Sequence, residues 1–157
     1  MNVAGSTACV GPSSGPRMRL AAWLEILGRV PLSILQLLFR LAIAAVFLKA
    51  GVNKAMSWEL TIQLFADEYK VPVLSPEVAA TMATTFEIGC SLLLLAGLLT
   101  RLATLPLLGQ ILVIQLFVYP NAYAEHLTWV SILIFLLTRG GGPISVDRAI
   151  GLEPGPR

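Results

Sequence analysis

The chain has 157 residues, a formal net charge of +2, and 56% hydrophobic against 13% charged residues. Its mean hydropathy of +0.79 lies outside the range of soluble domains, and its scattered basic residues do not form the aromatic-interleaved patch of a nucleic-acid binder. An integral membrane protein is the class that remains.

Residues 1–16 are rich in Gly, Ser and Pro and lack periodicity. They read as a disordered tail, or as sequence upstream of a start at Met18. Over 19–30, Leu20, Trp23, Leu24 and Leu27 share one helical face while Arg19, Glu25 and Arg29 fall elsewhere, which predicts a short helix on the membrane surface anchored by Trp23. Residues 1–31 are therefore a cytoplasmic tail with an interfacial helix.

Four apolar runs follow, 32–50, 78–98, 102–119 and 122–138, each near the roughly 20 residues that cross a bilayer. The fourth is the shortest. Continuous apolarity in place of a period of two argues against a transmembrane barrel, and helices satisfy their own backbone in hydrocarbon. The predicted fold is an all-α integral membrane four-helix bundle over 32–150, with a tail at 151–157.

Between the first two runs, Trp58, Ile62, Phe65 and Tyr69 recur at three- and four-residue steps. This predicts an amphipathic extramembrane helix over the outer mouth of the bundle. Pro72 and Pro76 stop helix propagation, Ser75 is placed to cap the second span, Pro76 falls at its first position and Glu77 in its first turn. The remaining connections, at Thr100-Arg101 and Pro120-Asn121, are short, so spans two to four run up and down as neighbours. Arg17, Arg19, Arg29, Arg101, Arg139, Arg148 and Arg157 fall on one side, while Lys54 and Lys70 share the other with Glu59, Asp67, Glu68, Glu77 and Glu125. The positive side is expected to be cytoplasmic, with both termini there.

Arg40 and Glu87 sit within the first two apolar runs, where a charge costs about 2.5–3.5 kcal/mol on insertion scales and calls for a partner or a cavity. Counted from span ends at Leu32, Leu98 and Leu102, Arg40 lies about 12 Å deep, Glu87 about 16 Å and Gln110 about 12 Å. The expectation is one polar centre of Arg40, Glu87 and Gln110. It either fixes helix register as a buried ion pair or binds a quinone, a lipid-like ligand or a proton.

Arg40, Ala44, Phe47, Gly51 and Lys54 align on one face of the first span, and small Ala44 and Gly51 let a neighbour approach. Lys49 is placed to snorkel to headgroups. Pro106 and Gly109 predict a kink beside Gln110. His126, the only histidine, follows Glu125 at the outer end of the fourth span and reads as an interfacial polar cap or a proton relay. One His without a set of Cys or acidic partners argues against a metal site. Cys9 in the tail and Cys90 in the second span make no local disulfide, and Cys90 reads as a packing residue.

Arg40-Leu41-Ala42 leading through Phe47 to Gly51-Val52-Asn53-Lys54, then Phe86-Glu87-Ile88-Gly89, Gly97-Leu98-Leu99-Thr100-Arg101 and Gly142-Pro143-Ile144-Ser145-Val146-Asp147, occur in that order. In this the chain resembles the DoxX family of small four-helix membrane proteins over residues 35–150. The resemblance implies a bacterial inner-membrane protein, points to Arg40, Lys54, Glu87 and Arg101, and suggests Asp147 as a cap of the C-terminal segment. It also implies association with quinone-linked sulfur oxidation or with membrane oxidoreductase assemblies that protect against oxidative stress.

The expected role is an accessory subunit without catalytic activity of its own, among membrane lipids. It would dock a redox protein or hold a quinone- or lipid-like molecule, and a homo-oligomer is a further expected partner. Two alternatives stay open. One is a quinone-linked oxidoreductase subunit, which would need an electron donor from elsewhere. The other is a small transporter or proton pathway through Arg40, Glu87 and His126, which would need oligomerisation.

Overall fold

A computed structural model describes residues 16–28, 30–70, 72 and 74–153. The 1–15 tail with Cys9, Arg29, Arg157 and the side chains of Arg17, Met18 and Leu27 lie outside the described residues. Two units are distinct, residues 1–31 and residues 32–157. In the first, helix α1 (Pro16–Gly28) begins three residues before the predicted segment, and Leu20, Trp23 and Leu24 are exposed on it.

Among its described residues the second unit has helices as its only regular elements and contains no strand. Its elements are α2 (Leu32–Met56), α3 (Trp58–Leu64) running into a π-helix (Phe65–Tyr69), α4 (Pro76–Ala96), α5 (Thr100–Phe117), α6 (Tyr123–Arg139) and the single turn α7 (Val146–Ala149). Three of them, α2, α4 and α5, are long and apolar enough to cross a membrane. Helix α6 has 17 residues, about 26 Å of rise. Helix α2 packs on α4 and α6, α4 on α5, and α5 on α6, so the four long helices close on one another. The hydroxyls of Thr128, Ser131 and Thr138 each donate to the carbonyl four residues back. That removes their polar cost inside an apolar helix.

The α2–α4 contact is the tightest. A Cβ at Gly51 would lie 2.9 Å from the Glu87 Cβ and 3.2 Å from the Ile88 backbone nitrogen, so only glycine permits this approach. The predicted face of α2 is the buried one, with Arg40, Ala44, Phe47 and Gly51 all turned inward. Ile43, Phe47, Leu94, Leu107 and Leu133 fill the space between the helices.

The end of α4 and the start of α5 form a tight corner. Gly97 has φ +69° and closes α4, with Leu98 N–H donating to the Leu93 carbonyl and Gly97 N–H to the Leu94 carbonyl, the paired bonds of a Schellman ending. At the other end of α4, Ser75 accepts a bond from the Val78 amide and Pro76 occupies the first turn, as the sequence predicts.

The amphipathic helix over 58–69 is present, but its second half widens into a π-helix. Lys70 N–H reaches back five residues to the Phe65 carbonyl, and Lys70 adopts φ +39°. The Phe65 and Tyr69 rings stack at 4.4 Å and are buried against Ala79 and Ala80 of α4.

Candidate functional site

Two polar clusters occupy opposite ends of the helical unit, and they correct the expected Arg40–Glu87–Gln110 centre. Arg40 is buried and bonds only to backbone. Its Nε donates to the Leu94 carbonyl at 3.0 Å, Nη1 to the carbonyls of Gly141 and Ile144 at 2.9 and 2.7 Å, and Nη2 to that of Leu95 at 3.4 Å. Leu94 and Leu95 belong to the last turn of α4, where carbonyls lack partners within the helix and the macrodipole favours a cation.

One turn earlier, Gln36 Nε2 donates to the carbonyls of Arg139 and Gly140 at the end of α6. Asp147, expected to cap its own segment, accepts instead from the amides of Leu99 and Thr100 at 2.6 and 2.9 Å, where α5 begins. A carboxylate there complements the positive end of α5 and holds Leu99 in its left-handed conformation, φ +48°. The C-terminal turn is capped by Ser145, whose hydroxyl accepts from the Arg148 amide. Glu153 accepts from the amides of Gly141 and Gly142 and lies 4.0 Å from the half-exposed Arg101.

The depth count failed because it set Leu98 level with Leu32. The Gly51 contact instead fixes α2 on α4 so that Arg40 meets Leu94 and Gly97, while Glu87 meets the C-terminal end of α2.

At that end Lys54 Nζ lies 2.6 and 2.7 Å from the two oxygens of Glu87. The Lys54 side chain is 14% exposed and the Glu87 side chain 3%, so the ammonium stands in front of the carboxylate. Gly51, one turn back on α2, makes this reach short. The Thr61 hydroxyl donates to the Lys54 carbonyl, tying α3 to the last turn of α2.

Beside the pair is a cavity of about 350 Å3 walled by α2, the π-helix, α4 and α5. Its surface is nearly all apolar, with Phe65, Met82, Phe86 and Val113 among its walls, and Lys54, Glu87, Tyr69 and Gln110 are its polar landmarks. Pro106, Gly109, Gln110 and Val113 line it from one face of α5, the i, i+3, i+4, i+7 spacing of a helical stripe. Gln110 Nε2 donates to the Ala83 carbonyl at 2.8 Å, so it joins Glu87 at the cavity but not Arg40. Burial pushes the Tyr69 phenol up to about 12, with Tyr119, Glu87 and Glu68 adding to the shift. It therefore stands at the wall as a neutral O–H group.

His126 lies in the first turn of α6 and is buried within the protein. Its Nδ1 lies 2.6 Å from Gln115 Oε1, and its ring is 5.5 Å from that of Trp129. Among the described residues no hydrogen bond joins Arg40, Glu87 and His126 to one another. Cys90 is buried in the apolar core. Among the described residues no three His, Cys, Asp or Glu side chains gather as a metal centre would require.

Sequence reasoning placed Lys54 on the correct helix face without pairing it. Tyr69 was legible only as an apolar helix position, and Gln36 and Glu153 carried no signal. The length of the aligned stripe was the clue to Lys54, since Gly51 precedes it by one turn. Glu153 acts through loop amides that no helical periodicity foretells.

A family model described as DoxX matches residues 35–120, more than half of the chain. No curated protein and no solved structure matches it.

Proposed function

The chain belongs to the DoxX family, and from that premise we propose that it is an accessory subunit of a membrane redox or stress-protection assembly that holds a quinone-like or lipid-like molecule in the cavity beside Lys54 and Glu87. The cavity carries this reading. Ligand sites are concave and mostly apolar, with a few placed polar groups, at volumes of roughly 300–1,000 Å3, and this one has that makeup at about 350 Å3.

A quinone head fits the residues present. Lys54 supplies an N–H for a carbonyl, Phe65 and Phe86 supply apolar walls, and a polyprenyl or acyl tail would leave toward lipid. A bound quinone would supply two-electron redox chemistry, and the protein's part would be to orient its head and keep water away. The redox-assembly part of the proposal rests on the family resemblance.

We further propose a bacterial inner-membrane location with four spans, α6 being the fourth. Arg101, Arg139 and Arg148 lie at the Arg40 end, while Glu59, Asp67, Glu68, Glu77 and Glu125 lie toward the cavity end. The positive-inside bias then supports cytoplasmic termini and a cavity in the outer half of the bilayer.

Purification from native membranes, with mass spectrometry of bound lipids, quinones and proteins, tests both halves of the proposal. The expected result is a stoichiometric lipophile that is lost from Gly109→Leu, together with a co-purifying oxidoreductase. A chain that carries no lipophile above bulk-lipid background sinks the ligand reading. Absence of any redox protein sinks the accessory role.

A further inference from the structure

We infer that Glu87 sets the ligand specificity of the cavity: by holding Lys54 in a closed ion pair it makes the site select uncharged, carbonyl-bearing lipophiles over lipophiles with an anionic head. This rests on the ligand-cavity reading and narrows it.

Among the described residues lining the cavity, Lys54 is the only cation and Glu87 the only anion. A lysine ammonium has three N–H donors. Two are directed at the two Glu87 oxygens, at 2.6 and 2.7 Å, which leaves one for a ligand. Both partners line the cavity, and Lys54 is the more exposed of the two, so its remaining N–H is the polar hydrogen of the pair that a ligand can reach.

A neutral carbonyl can accept that bond and bring no charge into the apolar cavity. An anionic head would have to leave water for an apolar space whose one cation is already neutralised. Burying a charge without a free counter-charge is strongly unfavourable. The second donor on the wall, the Tyr69 hydroxyl, adds no charge of its own and makes no hydrogen bond among the described residues. The ion pair is also held in place: the glycine-only contact of Gly51 with Glu87 and Ile88 fixes the two helices at the spacing that keeps it closed.

Removing the Glu87 charge should therefore release a cation into the cavity and turn the selection toward anions. The test measures scintillation-proximity binding of two radiolabelled probes to the purified full-length chain. The probes are a long-chain methyl ketone and the fatty-acid anion of the same chain length. The native chain should bind the ketone at least about tenfold more tightly, equivalent to about 1.4 kcal/mol. Glu87→Gln should reverse that order. The double variant Lys54→Gln with Glu87→Gln has no charge at the wall and should keep the native order, which leaves a decisive result should the single variant fail to fold.

Equal binding of the two probes by the native chain overturns the inference, as does an unchanged order in Glu87→Gln or a reversed order in the double variant. Failure of the native chain to bind either probe overturns the ligand-cavity reading itself, and this inference with it.

Discussion

Arg40 and Lys54 stand on the same face of α2, about 21 Å apart along its axis at 1.5 Å per residue, yet their surroundings differ in kind. Arg40 is enclosed by carbonyl groups from the C-terminal end of α4 and the loop after α6, while Gln36 donates to carbonyls at the end of α6, and Asp147 and Glu153 accept from amides at the start of α5 and in the loop after α6. Lys54 meets a side chain, Glu87, and the pair borders an apolar cavity. In a medium without water, backbone groups freed at helix ends must find partners inside the protein. A charged side chain that supplies those partners is structural. One whose partner is another side chain at the wall of a cavity is, on the proposed reading, the one that meets a ligand.

The sharpest way to break this contrast is at Arg40. Arg40→Gln removes a donor from four backbone carbonyls, two of them in buried bonds, at about 1–3 kcal/mol for each group left unsatisfied. We expect at least about 3 kcal/mol of destabilisation, read as a large drop in the thermal midpoint of the detergent-solubilised chain. A Tm within a degree or two of the native value would mean that Arg40 does not hold the corner. Next in size is Asp147→Ala, which removes the carboxylate from the first amides of α5 and should cost about 1–2 kcal/mol, the range of a lost helix cap. Hydrogen exchange should rise at Leu99 and Thr100 while the cavity end stays protected, and a uniform rise would deny that the two ends are separable.

Gly109→Leu addresses the other end. A Cβ at Gly109 meets nothing within 4 Å, so the new side chain enters open space on the cavity-lining face of α5. Replacing a helical glycine should stabilise the chain by up to about 1 kcal/mol, while bound lipophile is lost. Loss of both stability and ligand would show this wall to be part of the packing. The smallest effect concerns Tyr69, whose phenol is pushed up to about 12 by burial first and by nearby charge second. The folded chain should therefore hold this proton where the unfolded chain, with an ordinary value near 10, releases it. That contribution to stability is full below about pH 10 and fades as pH rises toward about 12. Spectrophotometric titration against Tyr69→Phe checks it, and a phenolate signal from Tyr69 near pH 10 would contradict its burial.

Much of the architecture was legible because it depends on local periodicity. The apolar runs set α2, α4, α5 and α6, and the Ser75-Pro76 pair sets the start of α4. Arg40, Ala44, Phe47 and Gly51 set the inward face of α2, since residues three and four apart must share a side of a helix. The corner at Gly97 was not legible, since that glycine fell inside the apolar run 78–98. The partners of the charges were not legible. Pairing by depth requires the offset between two helices, and that offset is decided by a single close approach, Gly51 against Glu87 and Ile88, whose neighbour sequence spacing does not name.

The same limit explains Tyr69 and His126. Period alone made Tyr69 one more apolar position, because a π-helix differs from an α-helix by one residue in its hydrogen bonding and leaves no mark in composition. His126 was placed by its distance to the end of an apolar run, which does not name its partner, Gln115, eleven residues earlier on α5. By itself the sequence determined that this chain is a membrane-embedded helical protein, and which side of α2 turns inward. Only the tertiary structure decided that Arg40 binds backbone and that Glu87 binds Lys54 beside a cavity. Helix formation is governed by neighbours along the chain, whereas side-chain pairing is governed by how far one helix slides along another.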